Sequence, residues 1–193
     1  MAISVCVFCG SQYGAEPRFR AAATQFGELA GRGRVRLIYG GGHVGLMGAV
    51  ADAAMAAGGE VIGLIPTRLL EREIGHRAIT ELVVTRDMCE RKQQMIDRAD
   101  AFVTLPGGLG TLDELLEVVT LRQLGYHDKP ILVLNLEGYW DPLIALVERV
   151  IEQQFAGAGA RALFRLVDTV EAILPALGIE PPPVARLRVA KAD

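Results

Sequence analysis

The sequence has few cysteines and no long apolar run, and each shortage excludes a class of protein. Only three cysteines occur among 193 residues, an odd number that fits reduced thiols better than a disulfide framework. Cys6 and Cys9 lie in a strand-like run, where their odd separation directs the side chains to opposite faces, so no redox or zinc pair is expected. No stretch reaches the roughly 18 unbroken apolar residues of a membrane helix, and residues 1–10 lack the basic start of a secretory signal. We therefore expect a cytoplasmic protein that does not enter a membrane.

Positive charge and the common nucleotide-binding motifs are also scarce. The net charge of −3 and the lack of a basic tract argue against binding to a nucleic-acid polymer, which needs many cations to neutralise phosphates. Neither G-x-G-x-x-G after the first strand nor the G-K-[ST] of a P-loop occurs, which disfavours a hydride-transfer enzyme and an ATPase. His76 and His127 have no partners at metal-ligand spacing, so no metal site is expected. A small anionic ligand remains compatible with these absences.

What the sequence does contain is an alternation of short apolar runs and amphipathic segments. The runs predict buried parallel strands at 4–8, 35–39, 60–65, 81–85, 101–105, 130–135 and 164–168. The segments predict crossover helices near 18–31, 46–57, 87–98, 111–125, 141–155 and 169–177. We expect an α/β fold with a Rossmann-like, doubly wound parallel sheet of about seven strands, helices on both faces, and ligands beyond the carboxyl ends of the strands. One domain should span residues 1–178, followed by a flexible tail over 179–193.

Two glycine-rich loops follow predicted strands and precede predicted helices. They are YGGGHVGLMG at 39–48 and LPGGLGT at 105–111, so that backbone N–H groups and a helix dipole can converge on an anion. One such loop is explained equally well by tight turns, but two loops on one sheet edge favour ligand binding. CGSQYG after the first strand adds a third contact from the same edge. The candidate contacts in these loops are Ser11, Gly41, Gly42, Gly107, Gly108 and Gly110.

Arg91 lies on the apolar face of a predicted helix, at spacings of three and four from Met88 and Met95. An unpaired buried guanidinium is costly, so Arg91 must meet a carboxylate, a phosphate or a water-filled cleft. The structural alternative is an arginine whose stem packs while its head reaches solvent or pairs with an acid such as Glu73. The nearby glycine-rich edge favours the functional interpretation.

The segment T-x-x-E, from Thr111 to Glu114, also matches a capping box, and Asp113 is favoured in a first helical turn. Local helix chemistry alone therefore explains all three residues. A phosphate in the glycine turn would repel these acids unless they face another part of the ligand, such as a ribose next to the phosphate. Glu114 would then stabilise an oxocarbenium-like transition state or deprotonate the attacking water.

The pairing of ERK in DMCERKQQM with PGGLGTLDE, preceded by GGGHVGLMG and followed by LGYHDKPILVLN, resembles the LOG (Lonely Guy) family. That resemblance implies hydrolysis of a nucleoside 5′-monophosphate, AMP or N6-prenylated AMP, to the free base and ribose 5-phosphate, without a metal or another cofactor. It also implies a homodimer with sites near the interface. By motif position, Arg91 and Glu114 would be the catalytic pair. The implied substrate contacts are Glu73, Lys92, Gly108, Leu109, Gly110, Thr111, Asp113 and Thr120.

Two other functions remain open at this point. A non-catalytic carrier of a nucleotide or phosphorylated cofactor would explain the glycine loops but give Glu114 no role. A pyridoxal-phosphate decarboxylase needs a Schiff-base lysine in the pocket, and the chain has only Lys92, Lys129 and Lys191. The alanine-rich helix near 46–57 could associate with a second copy or pack on its own sheet.

Overall fold

The computed structural model describes residues 2–71 and 75–180 and contains one seven-stranded sheet. All its strand pairs are parallel, in the order β4-β3-β2-β1-β5-β6-β7. This confirms the Rossmann-like α/β prediction. The strands are β1 Ser4–Phe8, β2 Arg36–Tyr39, β3 Val61–Pro66, β4 Glu81–Thr85, β5 Ala101–Thr104, β6 Ile131–Leu134 and β7 Arg165–Val167.

Helices form the crossovers between these strands, as parallel connections require. They are α1 Pro17–Arg32, α2 Gly45–Ala56, α3 Thr67–Leu70, α4 Met88–Arg98, α5 Leu109–Gln123, α6 Asp141–Glu152 and α7 Ile173–Ala176. The short α3 was not predicted. The single helix expected at 169–177 is instead a 3-10 turn followed by α7. Within the described ranges, no helix combines the length and apolar character needed to cross a bilayer.

The core has two layers, one on each face of the sheet. Cys9 belongs to the layer packed under α1 and α2, and Cys6 to the layer packed under α4 and α5, which confirms that the two side chains occupy opposite faces. The alanine-rich α2 is buried along most of its length, because Gly27 and Gly31 let α1 approach its backbone closely. The apolar face of α2 is therefore used inside the chain.

The strand order creates a switch point between β1 and β5. The chain winds outward from β1 through β2 and β3 to β4, then returns to β5 on the other side of β1. Helices leave the two neighbouring strand ends on opposite faces there, which opens a crevice beyond the carboxyl ends. Residues that follow β1, β2 and β5 meet at this crevice.

Candidate active site

Three loops meet backbone to backbone at the switch point, with Gly10 at their centre. The Gly10 N–H donates to the Pro106 carbonyl over 3.1 Å, and the Gly10 carbonyl accepts from the Leu46 N–H over 3.0 Å. A side chain at Gly107 would overlap that of Thr111 and lie 2.8 Å from the Gly10 nitrogen. Glycine at position 107 is therefore required by the close approach of the loops.

A cavity of about 250 Å³ lies between these loops and α4. It brings together eight of the residues selected from the sequence, which come from three separate stretches of the chain. They are Ser11, Arg91, Gly108, Leu109, Gly110, Thr111, Asp113 and Glu114.

Arg91 and Glu114 form a buried ion pair on the wall of this cavity. Arg91 Nη2 donates to Glu114 Oε1 over 3.2 Å, and the two residues are 7% and 8% exposed. A side chain at Gly40 would overlap the Arg91 guanidinium, so the loop after β2 packs directly on it. Arg91 Nε is buried with no hydrogen-bond partner among the described residues. The arginine thus pairs with Glu114, and part of its donor capacity is unused.

Burial raises the pKa of the Glu114 carboxyl to about 7, and the Arg91 guanidinium offsets part of that rise. The nearby Asp113 carboxylate contributes to the raised pKa of about 7. A carboxyl with a pKa near neutrality exchanges a proton readily at pH 7, which suits general acid or base catalysis. Perturbed acids of this kind cluster at functional sites.

Helix α5 begins two residues before the predicted start, and this removes the capping-box alternative. Its N-cap is Gly108, with no side-chain cap, and Thr111 is the third helical residue. Glu114 bonds to Arg91 rather than to a helix cap. No backbone acceptor among the described residues takes the N–H groups of Leu109, Gly110 and Thr111. These amides, at the positive end of a 15-residue helix, form an anion site.

Several predicted contacts lie away from this cavity. Lys92 bridges Asp113 and Glu117, at 3.0 and 3.1 Å, and Thr120 bonds its own helix on the exposed face of α5. The remaining residues in this group are Gly41, Gly42 and Gly107. Glu73 and residues 181–193 lie outside the described residues.

Gly41 and Gly42, two of the predicted substrate contacts, make backbone contacts within the chain. The Gly41 carbonyl accepts from the His76 N–H over 3.0 Å, and Gly42 forms a β-bridge with Gly75. Both glycines therefore hold the loop that follows β2 against the chain near residue 75. Their neighbour Gly40 lines the cavity instead.

Sequence reasoning missed part of the cavity wall, formed by Val7, Cys9, Gly40, Met47, Leu69 and Met88. Burial, together with the Glu114 charge, raises the pKa of the Cys9 thiol well above its usual range, so Cys9 is a neutral wall residue. The pattern gave one usable signal, because Cys9 directly precedes Gly10 in the glycine-containing loop that follows β1. The apolar residues carried no signal that separates cavity lining from core.

A second cavity, of about 580 Å³, lies on the other side of the Gly107–Gly108 turn. It shares Ser11 and Gly108 with the first cavity and includes Gly107. Aromatic side chains of Tyr13, Phe19 and Tyr139 contribute to its walls.

The described lysines do not reach either cavity. Lys92 is occupied by two carboxylates, and Lys129 donates to the Ile96 carbonyl over 2.8 Å. Lys191 lies outside the described residues. Within the described part of the chain, nothing therefore offers the Schiff-base lysine of a pyridoxal-phosphate enzyme.

Comparison with known proteins places this chain in a family. The family model described as possible lysine decarboxylase matches residues 47–177. A probable cytokinin riboside 5′-monophosphate phosphoribohydrolase, LOG4 of Oryza sativa subsp. japonica, is 44% identical over 174 residues, covering 90% of this chain and 76% of that protein. The Arabidopsis thaliana phosphoribohydrolase LOG7 is 45% identical over 159 residues, covering 82% and 73%.

Solved structures agree on the fold. The molybdenum cofactor binding protein of the phototrophic bacterium Rippkaea orientalis superposes with a TM-score of 0.71 at 20% identity, over 92% of this chain and 96% of that one. At this identity the likeness concerns architecture alone. The matched family model and the relatives above 40% identity establish that the chain belongs to the LOG family.

Proposed function

We propose that this protein hydrolyses the N-glycosidic bond of nucleoside 5′-monophosphates, giving the free base and ribose 5-phosphate. The observation that carries the proposal is the buried Arg91–Glu114 pair, which borders the same cavity as the α5 amides that have no backbone acceptor in the described part of the chain. The names of the LOG relatives describe this reaction. AMP and N6-prenylated AMP are the proposed substrates.

The phosphate binds at the N-terminus of α5. The free N–H groups there and the positive end of the helix dipole stabilise a dianion without a metal. The Ser11 hydroxyl borders the same cavity and adds a polar contact. The bound phosphate thus fixes the position of the nucleotide, with its ribose on the side of the cavity that faces α4.

The ribose then lies against Arg91 and Glu114. Water attacks C1′ as the bond from C1′ to the base nitrogen breaks, and positive charge develops on the ring. The bonding electrons leave with the base, which takes up a proton, so that one water molecule supplies the hydroxyl on C1′ and, overall, the hydrogen on the released base. The Glu114 carboxylate stabilises that charge or takes the proton of the attacking water. Because burial holds the pKa of Glu114 near 7, the carboxyl also releases that proton easily after the reaction. Arg91 keeps the carboxylate oriented.

An assay of the two products released from AMP tests this proposal. Chromatography separates adenine from AMP, and a coupled assay measures ribose 5-phosphate. The expected result is a 1:1 yield that grows with time and enzyme. A protein that binds AMP and never releases adenine would instead be a carrier, and the enzymatic proposal would be abandoned.

We further propose that the protein acts as a homodimer joined along the exposed face of α5. Leu109, Leu116 and Leu124 are 85%, 45% and 65% exposed and recur at near-helical spacing on the same side as Thr120. Leu109 also lines the cavity, so a partner seated on this face would close the site. Thr120, which lies away from its own cavity, would face the partner's cavity.

We also propose a cytoplasmic location, which the free thiols support.

Light scattering after size exclusion tests the dimer. Leu116→Glu places a charge in the proposed interface, so the mass should fall from two chains to one and AMP hydrolysis should weaken. Leu146→Glu is the matched control, because Leu146 is 58% exposed on α6. A Leu116→Glu variant that keeps the mass of the parent would exclude this face as the interface.

A further inference from the structure

Tyr139 makes a contact that the proposed reaction does not use. Its hydroxyl donates to the Gly107 carbonyl oxygen over 2.6 Å. The ring is held edge-on by Phe19 and Trp140, with centroids 5.3 and 4.9 Å away. Tyr139 lines the larger cavity and is not part of the wall that carries Arg91 and Glu114.

The loop that carries Tyr139 is itself braced. Asn135, directly after β6, accepts from the Trp140 N–H and donates to Asp141 Oδ1, both over 2.8 Å. Gly138 has φ of 77°, which allows the tight turn between these contacts. The hydroxyl of Tyr139 therefore occupies a fixed position relative to the sheet.

The Gly107 carbonyl belongs to a peptide unit that would otherwise turn over easily. Gly107 and Gly108 flank it, and glycine allows nearly the full range of backbone angles. In a trans peptide the C=O and the following N–H point in opposite directions. Because Tyr139 holds the Gly107 oxygen, the Gly108 N–H points away from Tyr139. Gly108 borders both cavities, and Tyr139 lines only the larger one, so this N–H points away from the side that carries Tyr139. A reversed peptide would direct a carbonyl oxygen toward the bound anion.

We propose that Tyr139 is a positioning residue for the phosphate site: its hydroxyl locks the Gly107–Gly108 peptide with the Gly108 N–H directed at the substrate phosphate. This inference rests on the proposed binding of the phosphate at α5. Tyr139 would then hold the phosphate-binding loop from the side of the larger cavity. Its hydroxyl would contribute to substrate affinity and not to bond cleavage.

Tyr139→Phe is the direct test, because it removes the hydroxyl and keeps the ring contacts. An unlocked peptide spends part of its time reversed, and apparent affinity falls by that fraction. The KM for AMP should rise about 3- to 10-fold, the ratio that one ordinary hydrogen bond contributes to an equilibrium. The kcat should change less than about 2-fold, since Arg91 and Glu114 are untouched. The inhibition constants of ribose 5-phosphate and inorganic phosphate should rise by the same factor. The inhibition constant of adenine, which has no phosphate, should not change.

Tyr13→Phe is the matched control. Tyr13 lines the same cavity, and its hydroxyl makes no hydrogen bond with the described residues, so the parent KM should be kept. A thermal melt of both variants separates a packing defect from a change in affinity. An unchanged KM and unchanged phosphate inhibition in Tyr139→Phe would overturn the inference, as would a lower kcat at constant KM.

The amide resonance of Gly108 provides a readout that does not depend on catalysis. Titration of inorganic phosphate into the 15N-labelled parent should shift this resonance downfield, and the shift should shrink in Tyr139→Phe. If the parent failed to release adenine but still showed this difference, the proposed reaction would fall and the positioning role would stand. If the Gly108 amide did not respond to phosphate in the parent, the positioning role would be rejected.

Discussion

The two glycine-rich loops have similar sequences and opposite environments. In the loop at 39–48, a side chain at Gly40 would overlap Arg91, and one at Gly45 would overlap the backbone of Ser11. In the loop at 105–111, Gly107 is enclosed in the same way by Thr111 and Gly10, but Gly108 and Gly110 face open space. The first loop uses glycine to let protein approach protein, whereas the second leaves room for a ligand.

The helices that follow these loops differ in the same way. At the start of α2, the N–H groups of Leu46 and Met47 already donate to the Gly10 carbonyl. At the start of α5, the corresponding amides have no backbone acceptor among the described residues. A helix N-terminus attracts anions only while its donors are free. A glycine-rich stretch in a sequence therefore predicts that another group approaches the backbone closely. The hydrogen bonds of the N–H groups in the structure indicate whether that group belongs to the protein or to a ligand.

The largest effect on turnover should come from changing Glu114, the acid on the helix that follows the loop at 105–111. Glu114→Gln keeps the size and an acceptor for Arg91 but cannot take a proton. We expect AMP hydrolysis to fall by about 10²- to 10⁴-fold, the usual contribution of a general acid or base, with a melting temperature no lower than that of the parent. Glu117→Gln makes the same change on the same helix outside the cavity and should leave turnover within a few-fold. Undiminished turnover in Glu114→Gln would remove Glu114 from the mechanism.

The pH dependence of turnover sharpens the same assignment. Burial raises the pKa of Glu114 to about 7, so the carboxylate that acts on ribose or water exists mainly above that pH. We expect kcat/KM to fall about tenfold per pH unit below 7 and to level off above it. A profile flat from pH 5 to 8 would show that ionised Glu114 is not required.

The same pKa shift predicts how stability changes with pH. A raised carboxyl pKa means that the folded state prefers the neutral acid, so the stabilisation is complete below the unfolded value of 4.5 and is lost as pH rises to about 7. Urea unfolding of the parent and of Glu114→Gln should therefore diverge in favour of the variant over this interval. Parallel curves would contradict the shift.

The smallest effects separate the two loops by stability alone. Gly45 has φ of 67° and no room for a side chain, so Gly45→Ala should lower the free energy of unfolding by about 3 kcal/mol through strain and overpacking. Gly110 lies in open space inside the first turn of α5, so Gly110→Ala should raise it by about 0.5–1 kcal/mol. Equal losses in chemical denaturation would erase the distinction between the loops.

Local patterns were sufficient to predict much of the fold and the central pair of the site. Apolar runs located all seven strands, because the five central strands are buried and continuously apolar. The edge strands β4 and β7 were also expected to be buried, but most of their residues are exposed or half-buried. Arg91 was selected because a guanidinium on an apolar helix face needs a polar partner. Glu114 was selected because a phosphate would repel a neighbouring carboxylate unless that carboxylate faced another part of the ligand. Both conclusions depend on chemistry within one segment.

The contacts between segments could not be predicted in the same way. Thr111 and Glu114 satisfy the spacing of a capping box, but α5 starts at Leu109, so Thr111 lies inside the helix and does not cap it. Gly40, rather than Gly41 or Gly42, lines the cavity, since the other two are tied to Gly75 and His76. Nothing local distinguishes three consecutive glycines, and their roles follow from which neighbours the fold brings to each.

A crystal structure of the Glu114→Gln variant with AMP tests the central claim most directly. The account predicts the phosphate about 3 Å from the amide nitrogens of Gly108, Gly110 and Thr111, with C1′ of the ribose beside Arg91 and the side chain at position 114. A phosphate bound against the loop at 39–48, or a nucleotide seated in the larger cavity beside Tyr139, would contradict it.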